Sequence, residues 1–100
     1  MRRVRFVAAA RREFLAEVIY YNEERAGLGA RFTAAVEEAT ARAAGFPLTG
    51  SRASKSTRRV FVRDFPICSR LSGATDEIIV FALAHHSRRP GYWLSRVRDR

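Results

Sequence analysis

The sequence has a single cysteine, Cys68, so it can form no intrachain disulfide and no cysteine zinc cluster. Lysine is as scarce: Lys55 is the only one among 19 basic residues, and the rest are arginine. Histidine occurs only as the adjacent pair His85 and His86. No apolar run approaches the roughly 20 residues that span a bilayer. Residues 1–10 lack a long apolar stretch behind their basic residues and do not read as a secretory signal. A reduced, soluble, cytoplasmic protein is the expectation. The chain has no P-loop, no Rossmann glycine pattern and no Ser-His-Asp set in a supporting context. Neither a cofactor nor a bound metal is implied.

What the chain does have is apolar mass and positive charge. With 47% hydrophobic and 11% aromatic residues, its 100 residues suit one compact domain, 1–100, rather than a disordered segment. The net charge is +9. It is unevenly spread: residues 1–50 carry a surplus of +2 and residues 51–100 one of +7. A small domain with that asymmetry meets something anionic, whether nucleic acid, an acidic protein or a membrane surface. A GC-rich genome accounts for arginine over lysine, but not for bases over acids.

Residues 4–7 are a short β-prone opening. Residues 8–26 run without Gly or Pro, and Phe14, Leu15, Val18 and Ile19 recur at helical spacing. Gly27 and Gly29 break that pattern. A second helix is predicted over 28–44, with Phe32, Ala35, Val36, Ala39 and Ala43 as its buried stripe and Gly45 and Pro47 as its stop. The polar stretch 48–57 reads as a loop. Three strands follow in quick succession, over 58–63, 66–72 and 76–84. In the first, Val60 and Val62 share one face and Arg59, Phe61 and Arg63 the other. The Ile78–Leu83 run reads as a central strand buried on both faces. The order β-α-α-β-β-β predicts an α+β fold, an antiparallel sheet with an αα-hairpin packed on one face.

Adjacent residues on a strand point to opposite faces, so His85 and His86 cannot share one metal. Each reads either as a strand-end histidine bonded to backbone or as a titratable group among arginines. Arg59, Arg63 and Phe61, bordered by Tyr92 and Trp93, would make a basic face with interleaved aromatics, suited to phosphate contact and stacking. Cys68 reads as a small buried hydrophobe. Glu13 and Glu17 read as surface ion-pair partners of Arg11 or Arg12, and Tyr20 and Tyr21 as packing residues.

Read together, Ala9 to Leu15, Ile19-Tyr20-Tyr21, Gly45 to Gly50, Arg58-Arg59-Val60-Phe61, Phe65-Pro66-Ile67 and the ending His85 to Trp93 resemble the ParE branch of the RelE/ParE toxin superfamily. These are also known as plasmid-stabilisation proteins. The resemblance covers nearly the whole chain and implies the same β-α-α-β-β-β fold. It implies the toxin of a type II toxin–antitoxin pair, neutralised by a small acidic antitoxin lying on the apolar groove of hairpin and sheet. Phe14, Val18, Phe32 and Val36 would be its contacts. ParE-like members poison DNA gyrase without chemistry of their own, which would make Arg88, Arg89, Tyr92 and Trp93 the target-binding residues. RelE-like members cut messenger RNA on the ribosome, and Arg63, Arg70, His85 and Tyr92 would then be catalytic. The Tyr92-Trp93 ending follows the ParE pattern, and Lys55 stands alone where the nuclease branch has a lysine pair. The gyrase reading is therefore preferred. A non-toxic, antitoxin-binding relative is the third possibility.

Overall fold

Val60 and Val62 turn inward and Phe61 outward along the third strand of a five-stranded sheet. The computed structural model of the chain describes residues 3–46, 50–52, 57–73, 77–85 and 91–98. Its elements are β1 (Arg3–Phe6), α1 (Ala8–Glu24), α2 (Leu28–Gly45), β2 (Ser51–Arg52), β3 (Arg58–Val62), β4 (Ile67–Gly73), β5 (Glu77–His85) and α3 (Leu94–Arg98). The sheet order is β1-β5-β4-β3-β2. The antiparallel meander β3-β4-β5 and the helical hairpin are where the residue pattern puts them, and the fold is α+β as expected. Three details add to it. β1 joins β5 in parallel, with Val4 opposite Ile78 and Phe6 opposite Val80. Two residues of the predicted loop, Ser51 and Arg52, pair with β3. A short helix, α3, follows the sheet.

The core lies between the sheet and α2. Phe32, Val36, Ala39 and Ala43 are buried, one helical turn apart, against Val60, Val62, Ile67, Leu71, Ile78, Val80 and Leu83. Phe32 sits in an aromatic cluster, its ring centroid 6.0 Å from Phe14, 5.1 Å from Tyr21 and 5.1 Å from Phe65. The small residues of α2 let the sheet approach. In β5, Ile78 to Leu83 are all buried, as a strand covered on both faces should be.

The hairpin turn depends on two glycines. Gly27 has a φ of +89°, the left-handed region that Gly enters without strain, and its N–H donates to Asn22 Oδ1 at 3.0 Å. Gly29 marks the closest approach of the helices: a Cβ there would lie 2.8 Å from the Val18 carbonyl oxygen.

The predicted stripe of α1 is only half right. Phe14 and Val18 pack on the core, but Leu15 and Ile19 are exposed, as is Tyr20. Apolar residues lie on two sides of this helix, and only one side meets the sheet. No helix among the described residues is long and apolar enough to cross a membrane.

Candidate functional site

Directly opposed residues in a sheet share a face. Arg59 on β3 faces Arg70 on β4, which faces Ala82 on β5. This row lies on the side of the sheet away from the helices, because the intervening Val60 and Ser69 pair on the inner side. The next outer row is Phe61, Cys68 and Ala84. Two like charges placed directly across a ladder repel. Each is partly offset by an aromatic ring: the Arg59 guanidinium lies 5.4 Å from the Phe61 centroid, and that of Arg70 5.9 Å from Trp93. Arg59 Nε and Arg70 Nη1 are buried atoms with no hydrogen-bond acceptor among the described residues. An anion between them would relieve the repulsion and accept those protons. Phe61 stands exposed beside them, and Cys68 is buried as expected.

A side-chain clamp holds the C-terminal segment against this sheet. Pairing of β1 with β5 ends at Phe6 and Val80, so from Phe81 onward that edge of β5 has no strand neighbour among the described residues. Edge backbone groups left open invite other chains. Here side chains occupy them. The Leu83 N–H donates to Glu13 Oε1 at 3.0 Å, and Arg96 Nη1 donates to the Phe81 carbonyl at 3.0 Å. Glu13 and Arg96 in turn form a two-pronged ion pair, at 3.0 and 3.1 Å. Arg96 also lies 5.1 Å from the Tyr92 ring centroid. One arginine thus fixes α3, Tyr92 and the β5 edge together, and Trp93 is buried.

Further along the same edge, Glu13, Ala16, Glu17, Tyr20, Leu83, Ala84 and His85 line a groove of about 390 Å³. Partial burial raises the Glu17 carboxyl above its ordinary value; His85 opposes the shift and Glu13 reinforces it. Glu24 raises the Tyr20 hydroxyl.

The residues expected to act together are distributed as follows. Arg70 reaches the Trp93 ring at the outer face, but Trp93 is itself buried, which corrects its reading as a target-binding residue, and Tyr92 lies against Arg96 at the β5 edge. His85 pairs in register with Ile67 on the helical side of the sheet, opposite to Arg70. Arg63 is exposed at the turn after β3 and lies 3.7 Å from Glu38 of α2, whose other oxygen pairs with Arg42 at 2.7 Å. The four residues of the nuclease set therefore do not converge. Arg88, Arg89 and His86 lie outside the described residues. Of the expected antitoxin contacts, Phe14 and Val18 are half-buried, whereas Phe32 and Val36 are sealed in the core by the sheet. No partner can touch those two in the folded protein, which corrects that part of the expectation. Glu13 and Glu17 also differ from their reading as partners of Arg11 and Arg12. Glu13 serves Arg96, 83 residues away, and Glu17 faces His85. One signal was present in the sequence: both acids sit within one residue of the buried stripe of Phe14 and Val18. Among the described residues, no three His, Cys, Asp or Glu side chains gather as a metal site.

A scan against protein-family models finds no match, and a search of curated proteins finds none either. Among solved structures, the chain is similar to one from the chromosomal ParDE TA system of P. aeruginosa, at 12% identity and a TM-score of 0.71. The match covers 85% of this chain and 96% of the other. At that identity the likeness concerns the fold alone: a helical hairpin packed on one face of the sheet, consistent with a RelE/ParE-like fold.

Proposed function

We propose that this protein is the toxin of a type II toxin–antitoxin pair, ParE-like in action, which inhibits DNA gyrase by binding rather than by chemistry. The observation that supports a binding mode is the placement of Arg70 and His85 on opposite faces of the sheet. General acid–base cleavage of RNA needs the proton-transfer group within hydrogen-bond reach of the phosphate it serves, and His85 is turned toward Glu17 instead. What the outer face offers is Arg59, Phe61 and Arg70, with the buried Trp93 ring beneath Arg70 tying this face to the C-terminal segment. Charge, stacking surface and a rigidly clamped C-terminal helix suit docking on a large target. Arg88 and Arg89 lie outside the described residues and join this proposal through the sequence resemblance alone.

The antitoxin of this proposal is small and acidic. Its segment covers the outer face, with carboxylates on Arg59 and Arg70 and an apolar side chain on exposed Phe61. Binding there blocks the target surface directly. In this proposal the segment orders as it binds and draws specificity from a few anchors.

The unpartnered guanidinium N–H groups of Arg59 and Arg70 favour a second reading, a RelE-like endoribonuclease that holds an RNA phosphate between them. Pulse labelling after induction of the chain without its antitoxin separates the two. DNA synthesis should fall within minutes while translation continues, and Arg70→Ala should abolish growth arrest while His85→Ala leaves it. Translation falling first would overturn the gyrase reading in favour of the nuclease. Unchanged synthesis of both would leave a non-toxic antitoxin-binding protein.

A further inference from the structure

We infer that two copies of this chain associate through α1, packed antiparallel about a twofold axis. The inference is independent of the toxin reading and rests on the side of α1 turned away from the sheet. Leu15 is 47% exposed and Ile19 60% exposed, four residues apart on one ridge of the helix. Isolated apolar side chains on a surface need no explanation. These two are neighbours on one ridge, with Ala16 and Tyr20 beside them toward the β5 groove, and the charges at the two ends of the helix are ordered.

Residues four apart stack along a helix. The ridge through Leu15 and Ile19 therefore begins with Arg11 and ends with Glu23. The neighbouring ridge reads Arg12, Ala16, Tyr20, Glu24. Bases stand at the N-terminal end of both ridges, acids at the C-terminal end, and apolar or small residues between. All eight side chains are exposed. Among the described residues, no ion pair engages Arg11, Arg12 or Glu23.

Helix ridges of this i, i+4 kind are the ones that pack into a second helix. A twofold contact requires a surface that complements itself: if residue i touches j, then j touches i. An antiparallel pair centred level with position 17 meets that condition. Leu15 of one copy lies on Ile19 of the other, and Arg11 comes beside Glu23, each contact occurring twice. Parallel packing would set arginine on arginine and glutamate on glutamate. An acidic partner would be repelled at the Glu23 and Glu24 end, and a basic one at the Arg11 and Arg12 end. A second copy, reversed, satisfies both ends. The contact is one helix long, about 25 Å for 17 residues. It buries less area than a standard interface of about 1,600 Å², so a reversible, weak dimer follows. The outer sheet face with Arg59 and Arg70 stays open in it.

Sedimentation equilibrium of the full chain at low salt, from about 1 to about 200 µM, tests this. A concentration-dependent dimer is expected. Ile19→Glu, at an exposed position that leaves the fold intact by circular dichroism, should abolish it. Arg11→Glu and Glu23→Arg should each weaken the dimer about tenfold, and the double variant should return to within about threefold of the original. A monomer throughout the range would overturn the inference, as would a dimer that survives Ile19→Glu. A double variant no better than either single one would overturn the antiparallel arrangement.

Discussion

Glu13 is joined to three parts of the chain at once: the β5 backbone at Leu83, the guanidinium of Arg96, and its own helix. Both members of the pair are shielded, their side chains 15% and 21% exposed. Removing one charge therefore leaves the other poorly solvated, and Arg96→Met should cost about 2–4 kcal/mol in urea unfolding. Glu13→Gln together with Arg96→Met should cost less than the sum of the single changes, because neither then strands a partner. Additive costs would mean that the two residues do not act as a unit. Glu17, one turn on, behaves differently. The folded protein holds its proton more tightly than the unfolded chain does, because burial outweighs the facing charge of His85. Ionising it thus opposes folding. That cost is absent below the ordinary value of 4.5, grows as pH rises through it, and is complete above the folded-state value. Glu17→Gln should accordingly raise the melting point modestly at pH 7 and lose its advantage below pH 4.5. Its neighbours in the groove are Glu13, Tyr20 and His85, and His85→Ala should move the Glu17 titration further upward. An unchanged Glu17 titration in a proton NMR series would show that His85 does not act on it.

Elements whose burial follows one simple pattern, a single stripe or an unbroken apolar run, were legible in the sequence, and a helix with apolar residues on two sides was not. In α2, Phe32, Val36, Ala39 and Ala43 mark a single stripe, and the structure buries that stripe. The unbroken Ile78–Leu83 run announced a central strand because burial on both faces leaves no alternation. In α1, helical periodicity groups Phe14 and Val18 with Leu15 and Ile19, because spacing says that residues are neighbours and not which neighbour meets the sheet. The site was legible where it depends on alternation along one strand, as for Arg59, Phe61 and Val60. It was hidden where it depends on pairing between distant segments. The opposition of Arg59 to Arg70 is a matter of register, and the bulge between Arg70 and Leu71 shifts that register on the β5 side. The Glu13–Arg96 pair joins the two ends of the fold. Gly29 is a further contact that spacing cannot show. Because an added Cβ would lie only 2.8 Å from the Val18 carbonyl oxygen, Gly29→Ala forces the helices of the hairpin apart. It should destabilise the protein by about 1–3 kcal/mol, read as a lower denaturation midpoint. Gly45→Ala, where an added Cβ meets nothing within 4 Å, serves as the control.

For the molecule as a whole, charge opposes folding while favouring encounter. A net charge of +9 on 100 residues repels itself in the compact state, and a core of this size leaves little stability in reserve. Salt screens that repulsion, so the melting point of the chain alone should rise with sodium chloride. The proposed acidic antitoxin supplies the same screening by binding, and at a concentration about 100 times its Kd it should add about 2.7 kcal/mol. For a domain of this length that corresponds to roughly 10–20 °C in midpoint. Because carboxylate–arginine contacts on Arg59 and Arg70 supply part of that affinity, salt should weaken the complex while strengthening the free chain. The gap between the two melting curves should therefore narrow from both sides as salt is added. Thermal melts with and without the antitoxin, at low and high salt, measure this directly. Equal midpoints would remove the stabilising partner. A gap that does not narrow would place the antitoxin on an apolar surface and away from the basic face.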